Sequence, residues 1–240
     1  MKLSLKVVAV GAIVFSPMLA PLAGGGATPN GHDLLVAALK DASKNSSYEE
    51  FGAFRASGSP SSMTVLVTKT GQETIDNEQE TGTVFLVEPT DAHRLFFRAT
   101  TVHALLLFLS VHAPRASLVN RWLYLDPSDQ RYKTWASSGP RTVATQFVIG
   151  PRTFGSSAKY EGVTTLKGTR VVKLGVTSSW MSPTNALIPM VLYVTDTHQP
   201  LPFAVVGKLG DIPAPVTSYF SRWSAVPPIR IPRSNEVLPQ

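Results

Sequence analysis

The chain has 240 residues, a formal net charge of +6 and no cysteine. Without cysteine there is no thiolate nucleophile, no disulfide, no zinc–thiolate or iron–sulfur site, and no lipidated cysteine of the kind that anchors bacterial lipoproteins. The basic residues are scattered rather than run together, so the charge carries no nucleic-acid footprint; it suits solubility, or mild attraction to an anionic envelope surface.

Lys2 and Lys6 precede an uncharged stretch, Val7 to Leu22, which Pro17 and Pro21 interrupt and Ala23-Gly24-Gly25-Gly26-Ala27 follows. This is the layout of a secretory signal peptide. Cleavage is expected near Ala27, with Ala23 and Ala20 as alternatives; left uncleaved, the segment would serve as an N-terminal anchor. The division expected is a leader over 1–27, one folded domain over 28–226 and a tail over 227–240. Removing Lys2 and Lys6 takes the net charge from +6 to +4. The mature length suits a single domain with a core of its own.

Asn30 or Asp33 can cap a first helix to about Lys44, with Leu34, Leu35, Ala38, Leu39 and Ala42 on one face. Strand alternation follows at Met63, Val65 and Val67, then short apolar strands at Thr83–Val87 and Leu95–Ala99. The polar stretch Gly71–Thr81 reads as a long hairpin or exposed loop. Val102–Val111 is a solid apolar run, a buried helix or strand too short to cross a bilayer. Arg121–Leu125 is an aromatic strand closed by Asp126-Pro127-Ser128-Asp129, and Arg141–Ile149 is a short helix behind Gly139-Pro140. Gly162–Thr177 alternates, with Val172, Leu174 and Val176 on one face. Met190–Asp196 and Phe203–Gly207 make a hairpin, Val216–Val226 a last strand. Prolines 227, 228, 232 and 239 keep the tail extended. The fold class expected is α+β: a long antiparallel sheet, eight to ten strands, with few helices.

No chemistry announces itself. There is no Gly-x-Ser-x-Gly elbow, no glycine-rich phosphate loop and no His-Glu-x-x-His spacing, and the five histidines fall in unrelated segments. The reading is therefore non-enzymatic, with no catalytic residue, no metal and no cofactor. Many strands under few helices leave an apolar concavity. The helical run then supplies a lid, Leu105, Leu106, Phe108 and Leu109, over the inner sheet face of Val172, Leu174 and Val176. The same fold filled by its own side chains would instead be an envelope protein–protein interaction domain.

Three passages carry a resemblance. Ala116-Ser-Leu-Val-Asn-Arg-Trp-Leu-Tyr-Leu-Asp-Pro-Ser-Asp129 leads a small-residue stretch into an Arg-Trp strand, with Tyr132 soon after. Leu192-Tyr-Val-Thr-Asp-Thr-His-Gln-Pro-Leu-Pro-Phe203 turns a Tyr-Val strand into a Leu-Pro strand. Gly162–Val176 and Tyr219–Ile231 match a late hairpin and a closing strand with a proline tail. Together they resemble exported actinobacterial half-barrel lipid-carrier lipoproteins, similar in architecture to the periplasmic carriers of outer-membrane lipoproteins. The resemblance implies a curved antiparallel half-barrel wrapped around helices. It also implies a secreted or envelope location and an acylated or lipid ligand, with envelope proteins as further candidate partners. This chain departs from the family in lacking the lipobox cysteine.

Overall fold

The computed structural model describes residues 29–56, 59–90, 94–109, 116–135, 143–150, 153–180, 186–208 and 215–238. The leader lies outside these residues. Helix α1 (Gly31–Ser43) starts where Asn30, in extended conformation, accepts the His32 N–H on its side chain, so of the two caps the sequence offers Asn30 serves. Six strands then run as a meander: β1 (Tyr48–Ala56), β2 (Ser59–Thr68), β3 (Gly71–Glu78), β4 (Gly82–Pro89), β5 (Leu95–Ala99) and β6 (Trp122–Leu125). Between β5 and β6 lie α2 (Val102–Leu109) and a 3-10 turn at Ala116–Leu118. Two short helices, α3 (Gln130–Trp135) and α4 (Val143–Gln146), lead into a second meander: β7 (Phe154–Leu166), β8 (Thr169–Ser178), β9 (Ile188–Thr195), β10 (Pro202–Gly207) and β11 (Val216–Ser221). A two-residue β12 (Val237–Leu238) ends it.

All twelve strands form one open, curved sheet in the order β12-β6-β5-β4-β3-β2-β1-β11-β10-β9-β8-β7. The two meanders join where β1 pairs antiparallel with β11, Gly52 opposite Ser218. Only β12 runs parallel to its neighbour, Val237 facing Trp122. The fold is α+β with a curved antiparallel sheet, as expected, and with more strands than the sequence suggested.

Three local expectations are corrected and a fourth is lengthened. Gly71–Glu78 is a full strand rather than a loop, because its polar side chains sit between apolar partners on β2 and β4. Gly162–Val176 is the hairpin that the resemblance implies, with Lys167 (φ 48) and Gly168 (φ 79) turning the chain, but its first strand begins back at Phe154. The strand from Val216 stops at Ser221, where Arg222 (φ 53) and Ser224 (φ 56) bend the backbone. The tail does more than extend. Val226 N donates to Ser47 Oγ (3.1 Å), Ile229 N to Thr70 Oγ1 (3.3 Å), and the chain crosses the outer sheet face to become β12.

The registers define one continuous inner face. It runs through Leu123 and Phe97, then Leu86, Thr74, Val65, Glu50 and Phe220, to Val205, Leu192 and Leu174. Two separate cores form on it. One packs α1 and α4 against β1, β2 and the second meander; the other packs α2 and the 3-10 turn against β4–β6.

Candidate functional site

Helix α1 lays Leu35, Ala38, Leu39 and Ala42 into the larger core. Its first turn touches the sheet directly. A Cβ on Gly31 would come within 2.6 Å of Ala158 O and Tyr160 N, so only glycine admits this approach. From α4, the Phe147 ring lies 5.0 Å from Tyr48, 5.1 Å from Trp180, 5.1 Å from Trp223 and 5.4 Å from Phe220. Trp180 Nε1 donates to Glu50 Oε1 at 2.8 Å, which gives a buried carboxylate a partner.

Val172, Leu174 and Val176 share one face, as the alternation predicts; it is the inner one, and all three are buried in this core. Val171, expected on the opposite face, is buried as well. Helix α2 begins at Thr101, whose Oγ1 accepts the Ala104 N–H at 3.0 Å. Leu105 is fully buried with Phe97, Ala99 and Leu123, whereas Leu106, one helical step on, is 38% exposed. The side chains of Phe108 and Leu109 lie outside the described residues. The two groups of candidate residues thus belong to different cores. Helix packing of any extent involves β7 and β10 for α1, and β4 and β5 for α2. Between them the inner face of β3 presents Gln72, Thr74 and Asp76. Asp76 Oδ1 is buried without a hydrogen-bond partner, and burial, with Glu78 second, raises its pKa above the ordinary carboxylate value.

An open groove of about 750 Å³ does touch the predicted set. Half-buried Val191 and Val206 supply its apolar surface, with Pro189 and Pro215 beside them, and the buried Val176 and Met190 border it. Lys159, Glu161 and Lys208 bring charge to it. Glu161 accepts from Lys173 Nζ at 2.9 Å, and that bond raises the ammonium pKa. A Cβ on Gly175 would stand 2.6 Å from Glu161 Oε1, so the missing side chain leaves room for the carboxylate. Sequence reasoning found Val176 and missed Met190 and Val206. Register pairs Val176 with Met190 on the inner face and Val191 with Val206 on the outer one, and no local pattern encodes that register.

Among the described residues no three His, Asp or Glu side chains gather as metal ligands. His32, His103 and His198 sit on α1, on α2 and in the turn after β9; His93 and His112 lie outside the described residues. No helix of the described residues is long and apolar enough to cross a membrane.

No family model and no curated protein matches the chain. Solved structures do. The lipoprotein LppX of Mycobacterium tuberculosis is similar at 11% identity over 80% of this chain and 94% of its own, with a TM-score of 0.48. LprF of Mycobacterium bovis is similar at 14% identity over 84% and 95%, with a TM-score of 0.47. A LolA-superfamily protein of Nitrosomonas europaea is similar at 9% identity over 81% and 92%, with a TM-score of 0.28.

Proposed function

We propose that this chain is an exported, non-catalytic binding protein of the cell envelope that holds the acyl part of a lipid or acylated molecule in the β7–β10 groove. The observation that carries the reading is the groove's size and surface, about 750 Å³ with the half-buried Val191 and Val206 open to whatever enters. That volume falls in the range of ligand pockets, which are mostly apolar with a few polar groups. Each buried methylene contributes about 0.8 kcal/mol, so ten give about 8 kcal/mol gross before ordering costs. An acyl chain would therefore bind without a dedicated motif, which agrees with a sequence that has none.

Lipid extracted from the mature protein and analysed by mass spectrometry should contain an acylated species in stoichiometric amount. A fluorescent acyl probe should bind the native protein, and Val191→Asp or Val206→Asp should weaken it at least ten-fold. Both positions are half-buried, so both variants should fold. Full retention in both variants refutes the groove assignment. The lid reading of Leu105, Leu106, Phe108 and Leu109 is separable: the L106D/F108D pair should lose probe if α2 contributes, and should retain it if the ligand lies in the groove alone.

One observation favours a second reading. The inner face beneath α1 is filled by the chain's own rings, Phe147 among them within 5.4 Å of four others. A protein that carries no lipid and refuses the probe would be an envelope interaction domain built on that filled core.

A further inference from the structure

The far end of the sheet holds a second groove, about 660 Å³, between the outer face of β5–β6 and the C-terminal tail. Phe96, Val237 and Leu238 give it an apolar wall; Arg94, Tyr124 and Asp126 bring polar groups. Its two charges are in different situations. Asp126 accepts from Ser128 N (2.9 Å), Ser128 Oγ (2.6 Å) and Tyr124 Oη (3.3 Å). Those bonds, the ones from Ser128 foremost, hold its carboxyl below the ordinary value. Arg94 is not so provided for. Its Nε is buried with no hydrogen-bond partner, and its guanidinium carbon stands 5.7 Å from the centre of the Phe96 ring.

We infer that this groove binds an amphiphilic anion, an apolar chain lying along Phe96, Val237 and Leu238 with its carboxylate or phosphate on the Arg94 guanidinium. A buried N–H left without an acceptor is unfavourable, and an anion removes that cost. The planar guanidinium fork matches a carboxylate or phosphate with two parallel bonds. Asp126 takes its hydrogen bonds from Ser128 and Tyr124, and Arg94 Nε makes none to it. The apolar wall then selects for a chain behind the head. The site shares no residue with the β7–β10 groove, so it stands or falls independently of the proposed function.

The test is titration calorimetry on the native chain with decanoate, decyl phosphate, decanol and inorganic phosphate, with Arg Nε–H resonances followed by NMR. Decanoate and decyl phosphate should bind saturably and shift the Arg94 signal. Decanol and inorganic phosphate should bind at least ten-fold more weakly. Arg94→Gln should reduce decanoate at this site to the decanol level, and Arg170→Gln, exposed at the other end of the sheet and outside both grooves, should leave it unchanged. Decanol that moves the Arg94 signal at the same concentration as decanoate overturns the inference, and so does inorganic phosphate that moves it at the same concentration as decyl phosphate. Loss of decanoate in Val191→Asp with retention in Arg94→Gln would move the anion to the other groove. If Arg94→Gln does not fold, an Arg94 resonance unmoved at saturating decanoate decides against the site.

Discussion

The two ends of the sheet solve the same burial problem in different ways. At the β7 end the strands are long, 13 residues in β7 and 10 in β8, and helices cover only their inner face. At the β6 end the strands are short, five residues in β5 and four in β6, and they are covered twice. Helix α2 packs inside on Phe97 and Leu123; outside, Ile229, Ile231 and Val237 of the tail pack with Phe96, Trp122 and Tyr124. A short strand with one buried face removes little apolar area from water, so β5 buries both. The comparison also separates the grooves: the first opens where the outer face has no cover, the second forms because a cover is there.

The largest effect should come from the ring cluster. Phe147→Ala removes the ring that meets Tyr48, Trp180, Phe220 and Trp223 and is expected to cost about 3–5 kcal/mol in denaturant melts. Leu105→Ala, in the smaller core, should cost about 3 kcal/mol. Its neighbour Leu106→Ala, facing out, should stay within about 0.5 kcal/mol. A Leu105 cost above that of Phe147 would break the comparison, because the smaller core would then be the one holding the sheet together.

How much of this was legible varies with range. Asn30 as cap and the alternation Val172, Leu174, Val176 were readable, because a cap and a strand face are local facts. Leu95-Phe96-Phe97 was readable as strand, and its unbroken apolar run already implies two covered faces. What covers the outer face was not readable. Ile229 reaches Thr70 across 159 residues, and a two-residue strand such as β12 leaves no pattern of its own. The groove at Val176 was half legible for the same reason: one wall follows from alternation, the other from a register shared with Met190. Polar β3 misled because alternation of polar residues looks like a loop until its neighbours supply the apolar context.

The tail tests the double cover at smaller scale. Ile229 is 8% exposed among Val87 and Phe96, and Ile229→Ala should cost about 2 kcal/mol. Hydrogen exchange should quicken in β5, β6 and β12 and stay unchanged in β7–β9. Equal acceleration at both ends would mean that the tail stabilises the whole sheet rather than its short end.

The smallest effects are electrostatic and of opposite sign in the two places. Burial, with Glu78 second, raises the Asp76 pKa on the strip between the cores. A raised carboxyl favours the protonated form in the folded state. Its contribution is complete below the unfolded pKa and is lost as pH climbs through the folded value. At neutral pH the carboxylate therefore works against folding, and Asp76→Asn should raise Tm at pH 7 and leave it nearly unchanged at pH 3. On the tail, Glu236 has a lowered pKa, from the Arg233 N–H first and the paired Arg230 after burial's opposing effect. Its contribution is present above the unfolded pKa and fades as pH falls through the folded one. Glu236→Gln should thus lower Tm slightly at pH 7 and not at pH 3. Both curves follow from thermal melts across that range. A fall in Tm for Asp76→Asn at pH 7 would mean that the buried carboxylate has a cation or a donor holding it, and the strip between the cores would then be a polar contact rather than a cost.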